Sequence, residues 1–229
     1  MPKISNGAGM EVIGKENKFS SSSFAMTRIY QDENVKVIDK PAGISIEEFE
    51  KPAHRLDKDT SGVLLLAKDD KTLDFLQKQF KERKVQKKYI ALVVGHLKLE
   101  NGEIETLLGR APGDRRKQKV YFPGDPKEEG KRTAITKYKV LQRYEKYDLI
   151  EAEPQTGRKH QIRVHLASLG HPIAGDKLYG FKNQPCPKGL LRQFLHSSFL
   201  KIELPSGEIK EFTSELPKEL ETKLPQKRK

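Results

Sequence analysis

The chain has 229 residues, enough for one large domain or two small ones with a substantial core. Its 44 Lys and Arg against 32 Asp and Glu leave a formal charge of +12, which points to an anionic partner, nucleic acid first, or to a solvated basic surface. The single cysteine, Cys186, excludes an internal disulfide and a zinc cluster of the usual spacing, and the longest apolar runs, VLLLA and IALVV, are too short to span a membrane. A reducing, cytoplasmic setting is expected.

Residues 1–26 carry no sustained period and are expected to form a flexible arm. Order begins at TRIYQDENVKVIDKPAG: Asp32-Glu33-Asn34 supplies a turn, Val35 to Asp39 a short strand, and Pro41-Ala42-Gly43 its end. HRLDKDTSG, residues 54–62, then leads into the buried strand VLLLAK. The spacing of Leu73, Leu76 and Phe80 predicts a helix over 70–84, capped by Asp70. KKYIALVVG is a further buried strand.

Residues 101–133 are expected to be turn-rich and basic, with short strands such as KVYF. TAITKYKVLQRY and YDLIEAEP form a hairpin around Glu145-Lys146. GRKHQIRVHLASLG reads as a helix opened by Arg158 and Lys159, capped by Thr156 and ended by Gly170. A last helix-to-strand passage follows, with a hairpin turned at Pro205-Ser206-Gly207. Mixed strands and few helices predict an α+β fold with a largely antiparallel sheet.

The six histidines offer no HExxH or HxH, and no phosphate-loop, dinucleotide or GxSxG signature is present. Ser61 can be a nucleophile only beside a base, which the sequence does not identify; hydrogen bonding to local backbone is its simpler role. Asp57, framed by Arg55 and Lys58, is an Asx-type turn cap or a site. A carboxylate beside permanent cations stays ionised, and so suits attack on, or stabilisation of, an electron-poor anomeric carbon. Arg163, between Ile162 and Val164, flanks an apolar helix side and needs a carboxylate; Asp57 is the partner proposed, and a structural ion pair is the plainer alternative.

HRLDKDTSG together with TGRKHQIRVHLASLGHPIAGDKLYG resembles the RluA-type pseudouridine synthases, which isomerise uridine in ribosomal and transfer RNA. IYQDENVKVIDKPAG, KKYIALVVG, GEIETLLGR, GKRTAITKYKVL and RQFLHSSFLKIELPSGE follow in the family's order, so the resemblance covers about residues 27–216. It implies a central, mainly antiparallel mixed sheet with flanking helices and a cleft across it. It also implies that Asp57 is the catalytic aspartate, Arg163 its partner, and Tyr89 the aromatic under the target base. Arg55 is implied as the residue entering the RNA helix, and Leu195 as the pocket floor.

Lys88, Arg158 and Lys159 are expected to hold RNA. Neither cofactor nor metal is implied, since the substrate is only rearranged. The expected division is an arm at 1–26, a catalytic domain at 27–218 and a basic tail at 219–229, in a monomer. The link ISIEEFEKPA between KPAG and HRLD is short for the family, and no small RNA-binding domain is expected ahead of the core. A non-catalytic RNA-binding protein and a base-removing hydrolase are the competing readings.

Overall fold

A computed structural model describes residues 26–125 and 127–226 of the chain; the expected arm, apart from Met26, lies outside them. Strands β1 (Thr27–Gln31) and β2 (Val35–Lys40) are joined where the Asp32 carboxylate accepts from the Asn34 and Val35 amides. After a single 3-10 turn at Ile46–Glu48, the 54–60 loop enters β3 (Ser61–Ala67). Helix α1 (Asp70–Lys81) and β4 (Gln86–Val94) follow. Asp69, not Asp70, caps α1, its carboxylate accepting from the Thr72 amide at 2.8 Å.

The expectation of short strands within a turn-rich 101–133 is corrected. β5 (Asn101–Ala111) and β6 (Asp114–Tyr121) make one long hairpin, with Gly102 and Gly109 inside β5. A Cβ on Gly109 would come within 2.2 Å of the Lys131 side chain, so here glycine marks close packing and not a turn. β7 (Arg132–Arg143) and β8 (Tyr147–Pro154) form the expected hairpin.

Helix α2 starts late, at Gln161–Ser168, so Arg158 and Lys159 lie in the turn before it. Thr156 does not cap it; its hydroxyl donates to Gln161 Oε1 and accepts from the Ile135 amide. Gly170 does end it, at φ +83°. No helix precedes β9 (Leu195–Glu203), which turns into β10 (Ile209–Thr213). α3 (Lys218–Glu221) crosses the boundary expected at residue 218. It buries Leu220 in the core and Leu224 packs beside it, so the body continues into the expected tail.

Ten strands form one sheet in the order β1-β2-β3-β9-β4-β8-β7-β5-β6, with β10 pairing β9. Every pairing is antiparallel except β3 with β9, which confirms the α+β, mainly antiparallel class. Alternation along β3 sends Val63 and Leu65 into one cluster with Leu76 of α1, and Leu64 into another with Ile162 and Leu166 of α2. The parallel contact depends on Gly62. At φ +114°, a Cβ there would lie 2.1 Å from the Ser197 carbonyl oxygen. That close approach sets the 54–60 loop beside the start of β9.

Candidate active site

The 54–60 loop, β4, the turn before α2 and the first residue of β9 converge on a cleft of about 470 Å³. Asp57, Tyr89, Arg163 and Leu195 all line it, as do Arg55, Arg158 and Lys159. Lys88 does not. It points to the other face of β4, where its ammonium meets Glu151 at 3.1 Å and lies over Phe199. The strand's period of two that brings Tyr89 into the cleft also brings in Lys87 and excludes Lys88.

Asp57 is the only carboxylate among the lining side chains. Its Oδ2 accepts from Arg163 Nη1 at 2.8 Å, while Oδ1 has His160 Nε2 at 3.8 Å, beyond hydrogen-bond range. The side chain remains 14% exposed. Arg163 is buried and has a second partner that sequence reasoning missed. Its Nε and Nη2 form a fork on the Asp176 carboxylate at 2.7 and 2.9 Å.

Burial works against the guanidinium's charge, but hydrogen bonds and charge from Asp176, then Asp57, outweigh it and raise its pKa. Burial likewise opposes the Asp176 charge. Arg163 and the amides of Leu178 and Tyr179 nevertheless hold that carboxyl below the usual range. Asp176 is thus fully occupied and fixes the arginine, while Asp57 keeps free acceptor capacity facing the cleft. The signal was present in the sequence: a buried arginine with five donors is rarely satisfied by one carboxylate.

His160 was also missed. It sits in the left-handed region at φ +56°, a conformation that costs a non-glycine residue about 1 kcal/mol. Tyr179 Oη accepts from the Gln118 amide at 2.8 Å and lies 2.8 Å from His160 Nδ1. With the phenol proton on the His160 side, a neutral His160 would carry its hydrogen on Nε2, toward Asp57. Burial, partly offset by Asp57, pushes the imidazole down to about 4, so it is neutral at pH 7.

Tyr89 is buried and its phenol is pushed up to about 12 by burial, against a hydrogen bond with Ser197. It holds its proton at neutral pH and presents an aromatic ring and a hydroxyl donor, not a base. Lys40 is buried without a carboxylate in contact. Its ammonium donates to the carbonyls of Pro41, Ile44 and Lys58 at 2.9, 2.8 and 3.1 Å, which ties the KPAG turn to the loop carrying Asp57. Burial brings Lys40 down to about 8.

Ser61 does have a histidine beside it, His196 Nδ1 at 3.0 Å, so its partners are not merely local backbone. His196 Nε2 is spent on the Ser214 carbonyl, and Arg192 donates to the same Ser61 hydroxyl at 2.9 Å. Ser61 is buried in the β3–β9 junction and is structural. Among the described residues, no group of three His, Cys, Asp or Glu converges as a metal site, and no helix is long and apolar enough to cross a membrane.

A cationic cleft with one under-coordinated aspartate, beside a buried tyrosine on a mixed antiparallel sheet, defines an aspartate-centred site suited to an anionic ligand. Residues 45–168 match the family described as RNA pseudouridylate synthase, and the chain belongs to that family. An "Uncharacterized RNA pseudouridine synthase" of Aquifex aeolicus is 42% identical over 192 residues, 71% of this chain and 58% of that one. "Ribosomal large subunit pseudouridine synthase D" of Borreliella burgdorferi is 38% identical over 226 residues, 86% of this chain and 67% of that one. The chain thus spans about three fifths to two thirds of the length of these relatives. The solved structure of human RNA Pseudouridylate Synthase Domain Containing 1 superposes with TM-score 0.75 at 27% identity, covering 85% of each chain.

Proposed function

We propose that the protein is an RNA pseudouridine synthase, converting uridine in ribosomal or transfer RNA to pseudouridine. The observation that carries this is Asp57: a carboxylate held by Arg163 on one oxygen, open on the other, and the only acid in a basic cleft. The names of the relatives support RNA as substrate, and "ribosomal large subunit" in one of them supports ribosomal RNA.

A paired uridine hides its glycosidic bond, so the nucleotide must leave the helix, at a cost of a few kcal/mol. Arg55, exposed at the cleft rim, takes the space it vacates. Stacking on Tyr89 returns about 1–3 kcal/mol, and Leu195 closes the apolar floor.

Asp57 then either attacks C1′ or draws the C2′ proton. In both routes the C1′–N1 electron pair passes to the uracil ring. The freed ring turns and C5 bonds to C1′, displacing the Asp57 carboxylate in the first route or, in the second, as C2′ takes its proton back from Asp57; the C5 hydrogen then leaves as a proton and N1 takes one up. The sum is redox-neutral and needs no co-substrate. Arg163 keeps the aspartate aimed, with Asp176 fixing the arginine. All these groups come from one chain, which supports a monomer whose catalytic domain starts near residue 27 and runs on through α3; the ribosomal name of a relative supports action in the cytoplasm.

The test is tritium release from RNA transcribed with 5-tritiated uridine, with ribosomal and transfer RNA assayed separately. Release by wild type and not by Asp57→Asn supports the isomerase. Free uracil among the products would instead indicate a base-removing hydrolase. Binding without release from either RNA would indicate a non-catalytic RNA-binding protein.

A further inference from the structure

One stretch of the cleft wall takes no part in the chemistry above: Phe80, Arg83, Lys87 and Arg158. Lys87 lies on the same face of β4 as Tyr89, two residues away, about 7 Å along the strand. Its ammonium lies 3.5 Å from the Thr156 carbonyl and 5.9 Å from the Phe80 ring centre, with no described carboxylate paired to it. Burial alone lowers Lys87 to about 8.

Arg158 donates through Nε to the Thr133 carbonyl, and burial followed by the charges of Arg132 and Arg83 lowers its pKa. Its electrostatic neighbours are cations, not an acid. Arg83 occupies the left-handed position after α1, at φ +60°, where the Arg83 amide donates to Phe80 O and the Lys84 amide to Gln79 O. Glycine is the usual residue in this cap, and an L side chain there costs about 1 kcal/mol. The chain therefore keeps an exposed arginine in a strained place and a lysine in a desolvated one, on the wall that Arg158 also lines.

For Lys87 and Arg158, which are partly buried with no described carboxylate partner, unpaired charge is a cost to folding, and Arg83 adds an exposed charge at the same rim. The missing counter-charge has to come from a ligand. We infer that Lys87, Arg83 and Arg158 form a subsite for one phosphodiester of the RNA strand, next to the uridine stacked on Tyr89. This rests on the proposed RNA reading and deepens it. His54, stacked on Phe80 with its Nε2 accepting from the Leu65 amide, is neutral and adds no competing charge. The phosphate of the extruded nucleotide or of its neighbour lies within such a span of the base, so the subsite draws the strand in with the uridine placed over Asp57.

The experiment measures binding of the dinucleotide UpU and of its uncharged methylphosphonate analogue to the full chain by NMR titration. Wild type is expected to prefer the charged dinucleotide by roughly tenfold, the scale of one charge-assisted contact. Lys87→Met should abolish that preference while melting higher than wild type, because it removes an unpaired desolvated cation. Arg83→Gly should reduce the preference and also raise the melting temperature, by relieving the left-handed strain. A structural role for either residue predicts the opposite sign of stability change.

The inference is overturned if folded Lys87→Met and Arg83→Gly keep the full preference. It is equally overturned if inorganic phosphate at the same concentration displaces UpU, since the site would then serve a free anion. Asp57→Asn should keep the preference. A preserved preference in a wild-type chain that releases no tritium from either RNA would sink the isomerase reading and leave the subsite standing.

Discussion

Asp57 and Asp148 are two aspartates that each meet an arginine at 2.8 Å, in different parts of the sheet. Asp148, in β8, is wholly buried. Arg143 and the Leu97 amide bond one oxygen and His96 Nδ1 the other, at 2.8 to 2.9 Å. Asp57 has one hydrogen bond and an open face. Where a carboxylate serves folding, the surrounding chain saturates it; where it serves a reaction, acceptor capacity is left for something that arrives.

The strongest way to break this contrast is to neutralise both. Asp57→Asn should lower tritium release by at least about 10³-fold, the scale of a removed nucleophile or base. It should leave RNA affinity and melting temperature nearly unchanged, because Arg163 keeps its fork on Asp176. Asp148→Asn should do the reverse. Weakening a buried pair costs about 3 kcal/mol, or roughly 6–12 °C for a domain of this size, with turnover per folded molecule intact. Equal stability losses in the two variants would remove the distinction.

Asp176→Asn sharpens the same contrast from the middle. It leaves Arg163 held by Asp57 alone, so both properties should fall: kcat by roughly 10–100-fold, the effect of a misplaced catalytic group, and stability by about 2 kcal/mol. KM should move little, since Asp176 does not line the cleft. A raised KM with unchanged kcat would show that Asp176 shapes RNA binding instead.

Much of this site was legible in the sequence, and the parts that were not have physical reasons. The family resemblance named Asp57, Tyr89, Arg163 and Leu195 together, and the structure brings all four to one cleft from the loop before β3, from β4, from α2 and from the start of β9. Lys88 was assigned to the cleft although alternation from Tyr89 sends it to the opposite face, so the period of two alone would have chosen Lys87. Asp176 and His160 depend on contacts across the fold, which no local period reports. The long β5–β6 hairpin was obscured by Gly102 and Gly109, which look like turns and are instead points of close packing. The Thr156 cap failed because Thr156 is tied to Gln161 and to the β7 backbone, a tertiary preference over a local one.

A fall in pH should act through the buried histidines. Burial pushes His54 down to about 3, and His160 and His165 to about 4, against an unfolded value of 6.5. As pH falls below 6.5 the unfolded chain takes up these protons before the native one, so stability is lost on the way down to pH 4. Each histidine contributes about 1.4 kcal/mol per pH unit across that window. Melting temperatures from pH 7.5 to 4.5 should show the decline. His165→Gln, which keeps a polar group between Thr106 and Thr136, should reduce the proton uptake on unfolding by about one. A flat profile would mean that these histidines are already charged in the native state.

The smallest effect expected is that of Tyr89→Phe. The ring that stacks on the base remains, and only a hydroxyl held near pKa 12 is removed. If Tyr89 acts as a stacking platform, the change should cost less than about tenfold in kcat, whereas Tyr89→Ala should cost about 1–3 kcal/mol of base stacking. The phenol's retained proton makes it a poor base in the resting state. Loss of activity in Tyr89→Phe comparable with that in Asp57→Asn would place the phenol in the proton transfer itself, and would extend the open, reactive part of the cleft from one carboxylate to a pair of groups.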